Sequence, residues 1–375
     1  MRVLIISPQH WGTMRVTKHH YAIELAKLGH EVFFLEPTEA NWKWTKSRFE
    51  VRDCDAEGVR LLKQNINVPY NLKFHAKSLF DWFIKRHIQK LETDLGPFDL
   101  VWSFDLTNAM PLRYFSTKSK KIFFAADWPP TIDGIKAAQN ANLLVSIAQE
   151  ILDEYPGPQS MKLLIDHGVA NCFIEEGKKP FIKTDDKIRI GMSGNFLRPD
   201  IDRPVLLEII YSHPEILFEC FGSYETINSN LGGSEDHDTL KFLHQLMDSP
   251  NVILHGMVSP EVLSEELRRM DAFLICYNVS KDQSRGTNYH KVSEYLVYEK
   301  PIISNNISKY SDSKSISMVK SRHSNSDMLK IVSKFKLNYQ SGRVSCLNQI
   351  STVYPYEDLI KSILNSLKLM VRDQN

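Results

Sequence analysis

The sequence predicts an α/β protein built from two doubly wound parallel sheets, and three observations lead to this prediction. Short apolar runs recur from one end of the chain to the other. Stretches with helical periodicity separate the runs, which is the pattern of βαβ units. The runs also fall into two series, divided by a polar segment at residues 177–187, and this division predicts two domains rather than one.

The runs predict the strands. Each is rich in Val, Ile, Leu or Phe and is bounded by Gly, Pro, Asp or Ser, which suits strands buried on both faces. The first series lies at residues 3–6, 32–35, 100–104, 122–125, 143–147 and 162–165. The second series lies at residues 188–192, 217–221, 252–254, 272–277 and 301–303.

The first helix has the clearest pattern. Tyr21, Leu25 and Leu28 share one face, and Gly29 is placed to end the helix as its C-cap. The tail from Pro355 also has helical periodicity and either ends the second domain or crosses back to the first. We therefore expect an N-terminal Rossmann-like domain at residues 1–180, a C-terminal Rossmann-like domain at 181–354 and a final helix at 355–375.

Composition excludes several classes of protein. The 375 residues are 42% hydrophobic and 24% charged, as in an ordinary globular protein. The net charge is +1, whereas a dedicated nucleic-acid-binding protein is usually far more basic, so we expect no nucleic-acid partner. The five cysteines are scattered, which suggests free thiols in a reducing compartment. With no targeting or membrane-spanning pattern, we expect a cytoplasmic protein.

The segment with the most chemical information is residues 284–296, after a predicted strand that ends at Tyr277. A glycine-containing loop that enters a helix offers backbone N–H groups and a positive dipole end, and both favour phosphate. Lys291 adds a positive charge, and Glu294 lies on the same helical face, where its carboxylate can accept hydrogen bonds from a ribose diol. The same spacing fits a solvated lysine and a surface ion pair. The residues alone leave both interpretations open.

The second half of the chain resembles the nucleotide-binding domain of GT-B glycosyltransferases. The resemblance rests on a strand that ends in Gly256, on the helix that carries Lys291 and Glu294, and on the turn at residues 299–302, which is similar to a Gly-Lys-Pro-Val turn. It extends to residues 28–32, which resemble the superfamily's first helix-to-strand corner. The resemblance implies two Rossmann-like domains facing a cleft, a UDP-linked sugar as donor, and no cofactor.

Within that superfamily the chain is similar to the inverting glucuronosyltransferases of bacterial exopolysaccharide synthesis. In that family a strand ends in an Arg-Ala-Ser-Asp-like sequence whose Asp is the general base, and Asp127 has the matching place here. Tyr277 and the pair His290 and Lys291 match a family tyrosine and a Met-Lys pair, whereas Glu294 replaces a glutamine. The resemblance implies single-displacement transfer, with Asp127 taking the proton of the acceptor hydroxyl.

Position alone allows two roles for Asp127. It follows an apolar strand at the expected cleft, where a carboxylate can act as a base, but it could equally cap the helix after Pro129 and Pro130. Asp105, which follows the run at residues 100–104, is a second candidate base.

The expected binding residues follow strand ends, where ligands bind in sheets of this kind. The expected donor contacts, some of them through backbone N–H groups, are Gly194, Asn195, Gly222, Met257, Val258, Tyr277, Asn288, Tyr289, His290, Lys291 and Glu294. The expected acceptor contacts, after the first strand, are His10, Trp11, Gly12 and Arg15.

One segment suggests a membrane surface. From Lys73 to Leu91, aromatic residues alternate with five Lys and Arg residues against a single Asp. A second aromatic and basic patch comprises Trp42, Lys43, Trp44, Lys46 and Arg48. Such patterns suit a helix on anionic headgroups, and also an ordinary amphipathic helix packed on a sheet. A lipid-linked glycan acceptor would favour the first interpretation and a peripheral position at the inner face of the membrane.

Several functions remain open at this point. We expect a metal-independent enzyme, because the sequence Asp236-His237-Asp238 lies in a polar surface loop rather than after a strand. The first choice is an inverting hexosyltransferase of capsule or other surface polysaccharide biosynthesis. The alternatives are a retaining GT-B glycosyltransferase, a nucleotide-sugar 2-epimerase, and a non-catalytic scaffold that binds nucleotide or glycan.

Overall fold

A computed structural model describes residues 1–38, 48–66, 68, 72–181, 183, 185–225, 233–313, 316–342 and 353–372. The chain divides into two compact units. The first comprises Met1–Trp11, Val16–Asp166 and Tyr356–Asn375, and the second comprises Gly12–Arg15 and His167–Pro355.

The first unit is built on an eight-stranded sheet. Its strands are β1 (Arg2–Ile6), β2 (Glu31–Leu35), β3 (Arg48–Asp53), β4 (Val59–Asn65), β5 (Leu100–Ser103), β6 (Lys120–Ala125), β7 (Leu143–Ser146) and β8 (Lys162–Leu164). They are ordered β3-β4-β2-β1-β5-β6-β7-β8, and all neighbours are parallel except β3 and β4. The helices before the second unit are α1 (Thr17–Lys27), α2 (Leu72–His75), α3 (Lys77–Leu95), α4 (Ile132–Ala137) and α5 (Gln149–Asp153).

The continuous apolar runs are buried on both faces of this sheet. Along β1, Leu4 and Ile6 enter the core on one face, and Val3 and Ile5 enter the core on the other. Because successive side chains of a strand point to opposite faces, a run with no polar position requires a layer of helices on each side. The alternation of runs and helical segments therefore predicted the architecture correctly.

The second unit is built on a six-stranded, fully parallel sheet. A short strand, β9 (Gly168–Val169), precedes it, and the sheet contains β10 (Ile188–Ser193), β11 (Ile216–Phe221), β12 (Val252–Gly256), β13 (Ala272–Ile275), β14 (Ile302–Ser304) and β15 (Ile316–Met318). The order is β12-β11-β10-β13-β14-β15, and β9 pairs with β16 (Tyr354–Pro355). The helices are α6 (Asn171–Gly177), α7 (Arg203–Ser212), α8 (His237–Met247), α9 (Pro260–Arg268), α10 (His290–Leu296) and α11 (Met328–Gln340).

The division between the units falls at residues 166 and 167, whereas the polar segment of the sequence placed a boundary near residue 180. Helix α6 accounts for the difference. Phe173 is buried in a core of the second unit, and Glu176 forms an ion pair with Arg268 at 2.9 Å. A polar composition after residue 177 marks the loop beyond α6 rather than the point where the chain leaves the first unit.

Helix α1 ends as its sequence predicts. Gly29 has φ +81°, in the left-handed region that favours glycine. Its N–H donates to the carbonyl of Ala26 at 2.9 Å, and the N–H of His30 donates to the carbonyl of Leu25 at 3.1 Å. These two bonds form a Schellman motif, which satisfies the last carbonyls of the helix before β2 begins.

The C-terminal helix, α12 (Tyr356–Arg372), belongs to the first unit. Tyr356, Ile360, Ile363 and Leu367 are buried in the same core as Tyr21. The chain therefore returns to its first unit after completing the second.

The antiparallel pair β3 and β4 was not among the predicted strands. β3 has the sequence RFEVRD and is mostly exposed, so it contains no apolar run. Its charged side chains, including Arg52 bonded to Glu50 at 2.7 Å, cover an edge of the sheet and discourage pairing with another chain.

Helix α3 contains most of the segment that suggested a membrane surface. Phe80, Ile84 and Ile88 are buried in the core of the first unit and are therefore unavailable to a lipid bilayer. Leu79 and Trp82 remain 47% and 46% exposed. The patch at Trp42, Lys43, Trp44 and Lys46 lies outside the described residues. Within the described ranges, no helix combines the length and apolar character that crossing a bilayer requires.

Candidate functional site

Lys291 lies in the first turn of α10, and its ammonium group reaches the carboxyl end of β10. It donates hydrogen bonds to the backbone carbonyl of Ser193 and to the hydroxyl of Tyr277, the second at 2.5 Å. Burial lowers the pKa of Lys291, while Tyr295 and Asp200 act to raise it. Both hydrogen-bond acceptors are uncharged. An anionic ligand at the ammonium would therefore form an ion pair, which these uncharged partners do not provide.

Glycines at neighbouring strand ends shape this place. The N–H of Gly194 donates to the carbonyl of Phe221, and the N–H of Gly222 donates to the carbonyl of Gly256, both at 2.8 Å. A Cβ on Gly222 would lie 1.7 Å from the carbonyl oxygen of Gly194, and a Cβ on Gly194 would lie 2.8 Å from Nζ of Lys291. Glycine at 222 thus permits close approach of two loops, and glycine at 194 leaves room for the ammonium group.

The backbone amides of this loop are already engaged within the second unit. The N–H of Ser193 donates to the hydroxyl of Tyr295 at 2.7 Å, and that of Gly194 donates to Phe221. The side chain of Asn195 accepts from the N–H of Leu197 at 3.0 Å. In this structure Gly194 leaves room for the ammonium group, and Asn195 holds its own loop. Contact of Gly194 and Asn195 with a phosphate stays a prediction.

The loop between β13 and α10 is organised by Asp282. Its buried carboxylate accepts hydrogen bonds from the hydroxyl of Ser284 at 2.5 Å, the N–H of Gly286 at 3.0 Å and the hydroxyl of Tyr289 at 2.9 Å. Tyr289 is therefore a buried support of the loop. Asn288, beside it, is also buried, at 2% exposure. Together they determine where α10 begins and so where Lys291 stands.

Glu294 lies one turn after Lys291 and is buried, at 8% exposure. Burial raises the pKa of its carboxyl group, whereas His290 and Lys291 lower it. Nδ1 of His290 is 3.4 Å from Oε1 of Glu294, and the ring of His167 meets that of His290 edge to face at 5.4 Å. The buried carboxylate and the ammonium thus occupy one short helix, as the spacing predicted, and neither is a freely solvated surface group.

Met257 and Val258 follow the end of β12 and are half-buried. β12 lies two strands away from β10, which is about 10 Å at the usual strand spacing. Gly194, Gly222, Tyr277 and Lys291 therefore form one cluster, and Met257 and Val258 lie at the side of it.

In the first unit, Asp127 is half-buried two residues after β6. Burial lowers the pKa of Lys18 to about 8, while Asp127 and Asp105 both raise it, so these three charges belong to one neighbourhood. Asp105 is already committed to its own loop, because it accepts from the N–H of Thr107 and the N–H of Ala109, both at 2.8 Å. These bonds tie Asp105 to its own loop, and a catalytic role for Asp127 stays a prediction.

Among known proteins, similarity was found to solved structures only. No family model matches the sequence, and neither does any curated protein. The chain is similar to a sucrose-phosphate synthase from Thermosynechococcus elongatus, with a TM-score of 0.70 and 10% identity over 99% of each chain. It is also similar to an α,α-trehalose-phosphate synthase (UDP-forming) from Burkholderia xenovorans in complex with glucose-6-phosphate, with a TM-score of 0.68 and 11% identity over 98% of this chain and 100% of that one.

A third similar structure is Anabaena HepE in complex with UDP and glucose. Its TM-score is 0.65 at 11% identity, over 98% of this chain and 99% of that one. The three neighbours cover 98–99% of this chain, and the two largely parallel sheets described above are consistent with them. The chain has the GT-B fold. At such low identity the likeness concerns the fold alone, and none of the three structures is named as a glucuronosyltransferase.

The expected acceptor residues of this GT-B chain are divided between its two units. Trp11 belongs to the first, and its backbone and indole N–H groups donate to Glu36 and Asp55, each at 2.8 Å. His10 is half-exposed, and its ring lies 3.7 Å from Glu36. Gly12 and Arg15 belong to the second unit. Trp11 therefore holds the loop after β1 in place, and His10 is the more accessible of the two.

Two charged residues near Lys291 were not predicted from the sequence. Asp200 is buried, at 2% exposure, and Nε of Arg198 donates to its carboxylate at 2.8 Å. Both charges act on Lys291, Asp200 raising its pKa and Arg198 lowering it. The sequence gives little indication of their role, because Arg198 and Asp200 lie in an irregular loop, where the spacing of residues does not predict which side chains meet.

The sequence Asp236-His237-Asp238 begins helix α8. Asp236 is its N-cap and accepts from the N–H of Thr239 at 2.8 Å and from the hydroxyl of Ser234 at 2.5 Å. These bonds lower the pKa of Asp236 to about 2. Among the residues that the structure describes, no three His, Cys, Asp or Glu side chains come together as metal ligands would.

Proposed function

We propose that the chain is a glycosyltransferase that moves a sugar from a UDP-linked donor to a glycan acceptor. The observation that carries the proposal is the placement of Lys291 and Glu294. The ammonium is held by uncharged oxygens beside the glycine loop, and the buried carboxylate follows one helical turn later. One helix start can therefore meet a diphosphate and a ribose diol. The fold supports this, since similar structures are described as UDP-forming or as containing UDP and glucose.

The proposed chemistry is inverting and needs no metal cofactor. The acceptor oxygen attacks the anomeric carbon, the bond from that carbon to the diphosphate oxygen breaks, and Asp127 takes the proton of the acceptor hydroxyl. Lys291 stabilises the negative charge that develops on the leaving diphosphate. A retaining reaction on the same fold is the alternative. The anomeric configuration of the product, read by proton NMR, separates the two.

Calorimetry with UDP and with GDP tests the nucleotide site first. Wild-type protein should bind UDP, and Lys291→Ala should lose most of that affinity. Lys300→Ala is the matched control, because Nζ of Lys300 also donates to backbone carbonyls, at Arg268 and Met270, but stands just before the amino end of β14. Absence of UDP binding by the wild type would refute the proposal, and binding of GDP alone would change the donor.

Asp127 is tested separately. Asp127→Asn should abolish sugar transfer while UDP binding persists, because the proposed base takes no part in holding the nucleotide. Equal loss of both would assign Asp127 a structural role, such as capping the loop before α4.

We further propose that the acceptor is a lipid-linked glycan of surface polysaccharide assembly and that α3 contacts an anionic membrane. On its outer face Leu79 and Trp82 are exposed, and the guanidinium of Arg86 lies 4.0 Å from the Trp82 ring centroid. Aromatic and basic side chains together suit an anionic interface. Co-sedimentation with vesicles containing phosphatidylglycerol should exceed that with phosphatidylcholine alone, and Trp82→Ser with Arg86→Ser should abolish the difference. Equal sedimentation with both lipids would refute this part.

A further inference from the structure

Helix α10 carries a buried carboxylate with a histidine one turn before it. Glu294 is 8% exposed, and Nδ1 of His290 stands 3.4 Å from its Oε1, one turn back along the same helix. The side chain of His290 is 22% exposed. An imidazolium at this distance favours the ionised carboxylate that burial disfavours. Whether Glu294 is ionised therefore depends on the state of His290.

Other titratable groups near Glu294 lie on α10, on α6 and just after α10. On α10 itself, the ammonium of Lys291 also favours ionisation of Glu294, but it is bonded to Ser193 and Tyr277. Glu294 also acts on Cys172 on α6 and on Tyr298 just after α10. Burial raises the pKa of the Cys172 thiol to about 11 and raises the pKa of the Tyr298 phenol still further. Both groups therefore stay neutral.

His167, just before β9, faces His290 on the other side. Its ring is buried, at 5% exposure, with the backbone of Asn288 close by. Burial and His290 hold the pKa of His167 well below its usual range. His167 thus remains neutral when the solution is mildly acidic. Histidine is the residue type suited to a change of charge in this pH range, and His290 is the histidine that lies against Glu294.

We propose that His290 is a positioning residue that keeps Glu294 ionised at mildly acidic pH, so that the affinity for the nucleotide sugar stays constant where it would otherwise fall. The inference rests on the proposed function, in which Glu294 accepts hydrogen bonds from the ribose. An ionised carboxylate accepts at both oxygens, whereas a protonated one has become a donor at one of them. An imidazolium at His290 offsets the tendency of the buried carboxyl group to take up a proton.

The test measures the Kd of UDP-glucose by calorimetry from pH 8 to pH 5.5. Both phosphates of this probe are esterified, so the ligand itself does not titrate in that range. The wild-type Kd should change less than twofold. In His290→Gln it should weaken about fivefold from pH 7.5 to pH 5.5, the difference between a charge-assisted and a neutral hydrogen bond. His290→Lys keeps a positive charge and should restore the flat profile.

Two further variants complete the design. Glu294→Gln should bind more weakly at every pH with a flat profile, and adding His290→Gln to it should change nothing more. His255→Gln is the matched control, because His255 pairs with a different buried carboxylate, Glu219, at 2.8 Å in the same unit. Its profile should match that of the wild type.

The outcomes separate this inference from the proposed function. If the Kd of wild type and of His290→Gln changed in parallel with pH, the inference would be overturned and the nucleotide site would remain supported. The same conclusion would follow if His290→Lys lost as much affinity for UDP-glucose at pH 5.5 as His290→Gln. Failure of wild-type protein to bind UDP-glucose or UDP at any pH would overturn the proposed function, and this inference with it.

Discussion

Replacing Gly194 with alanine tests how closely the loop after β10 is fitted to Lys291. The new Cβ would lie 2.8 Å from Nζ of Lys291 and 3.2 Å from the hydroxyl of Tyr277, so the ammonium must move. At φ +153° the alanine also strains the backbone by about 1–3 kcal/mol. A displaced ammonium loses much of a charge-assisted hydrogen bond, which is worth about 1.5–3 kcal/mol. We therefore expect the Kd for UDP to rise at least about tenfold.

Gly157→Ala is the matched control for Gly194→Ala. Gly157 has φ +119°, and no atom lies within 4 Å of the position its Cβ would take. Urea denaturation should show a comparable loss of stability in the two variants, and calorimetry should show a loss of UDP affinity in Gly194→Ala alone. Wild-type affinity in Gly194→Ala would refute the idea that this loop positions the ammonium for the ligand.

Three further predictions concern stability and are checked by urea denaturation. Ile360→Ala removes a fully buried side chain of α12 and should cost about 2–5 kcal/mol. Asp282→Ala leaves the buried hydroxyl of Tyr289 and its companions without their acceptor and should cost about 3 kcal/mol. Burial lowers the pKa of His87 to about 4, so the unfolded chain binds its proton first as the pH falls. Stability should therefore drop by roughly 3 kcal/mol between pH 6.5 and pH 4, and by less in His87→Asn.

The elements that the sequence predicted well are those whose signal is local and apolar. The strands from β5 to β8 and from β10 to β14 were all present as runs. In most of them the reason is burial on both faces, which needs no polar position. β8 and β12 carry apolar runs although Leu164 and Ile253 are exposed. β3 could not be recognised in this way, since its charged residues carry no period. The short strand β15 has Ser317 between Ile316 and Met318 and therefore forms no apolar run.

In the candidate site, too, the residues that were predicted lie close together in the sequence, and those that were missed come together from distant segments. Lys291 and Glu294 were identified because both stand on one helix, where spacing in the sequence gives spacing in space. The closeness of Asp200 to Lys291, and the contact of His167 with His290, depend on how loops and distant segments meet. The neighbourhood that Lys18 shares with Asp127 likewise joins α1 to the end of β6. No rule of spacing connects such residues in advance.

The return of α12 to the first unit has a consequence for synthesis on the ribosome. Tyr356, Ile360, Ile363 and Leu367 leave the exit tunnel after the second unit, yet they fill a core whose other members include Tyr21. Until they emerge, the first unit has an uncovered apolar face while the second unit is being made. The first unit should therefore reach its final stability only after the second has been translated, and a protein shortened before residue 356 should aggregate through that face.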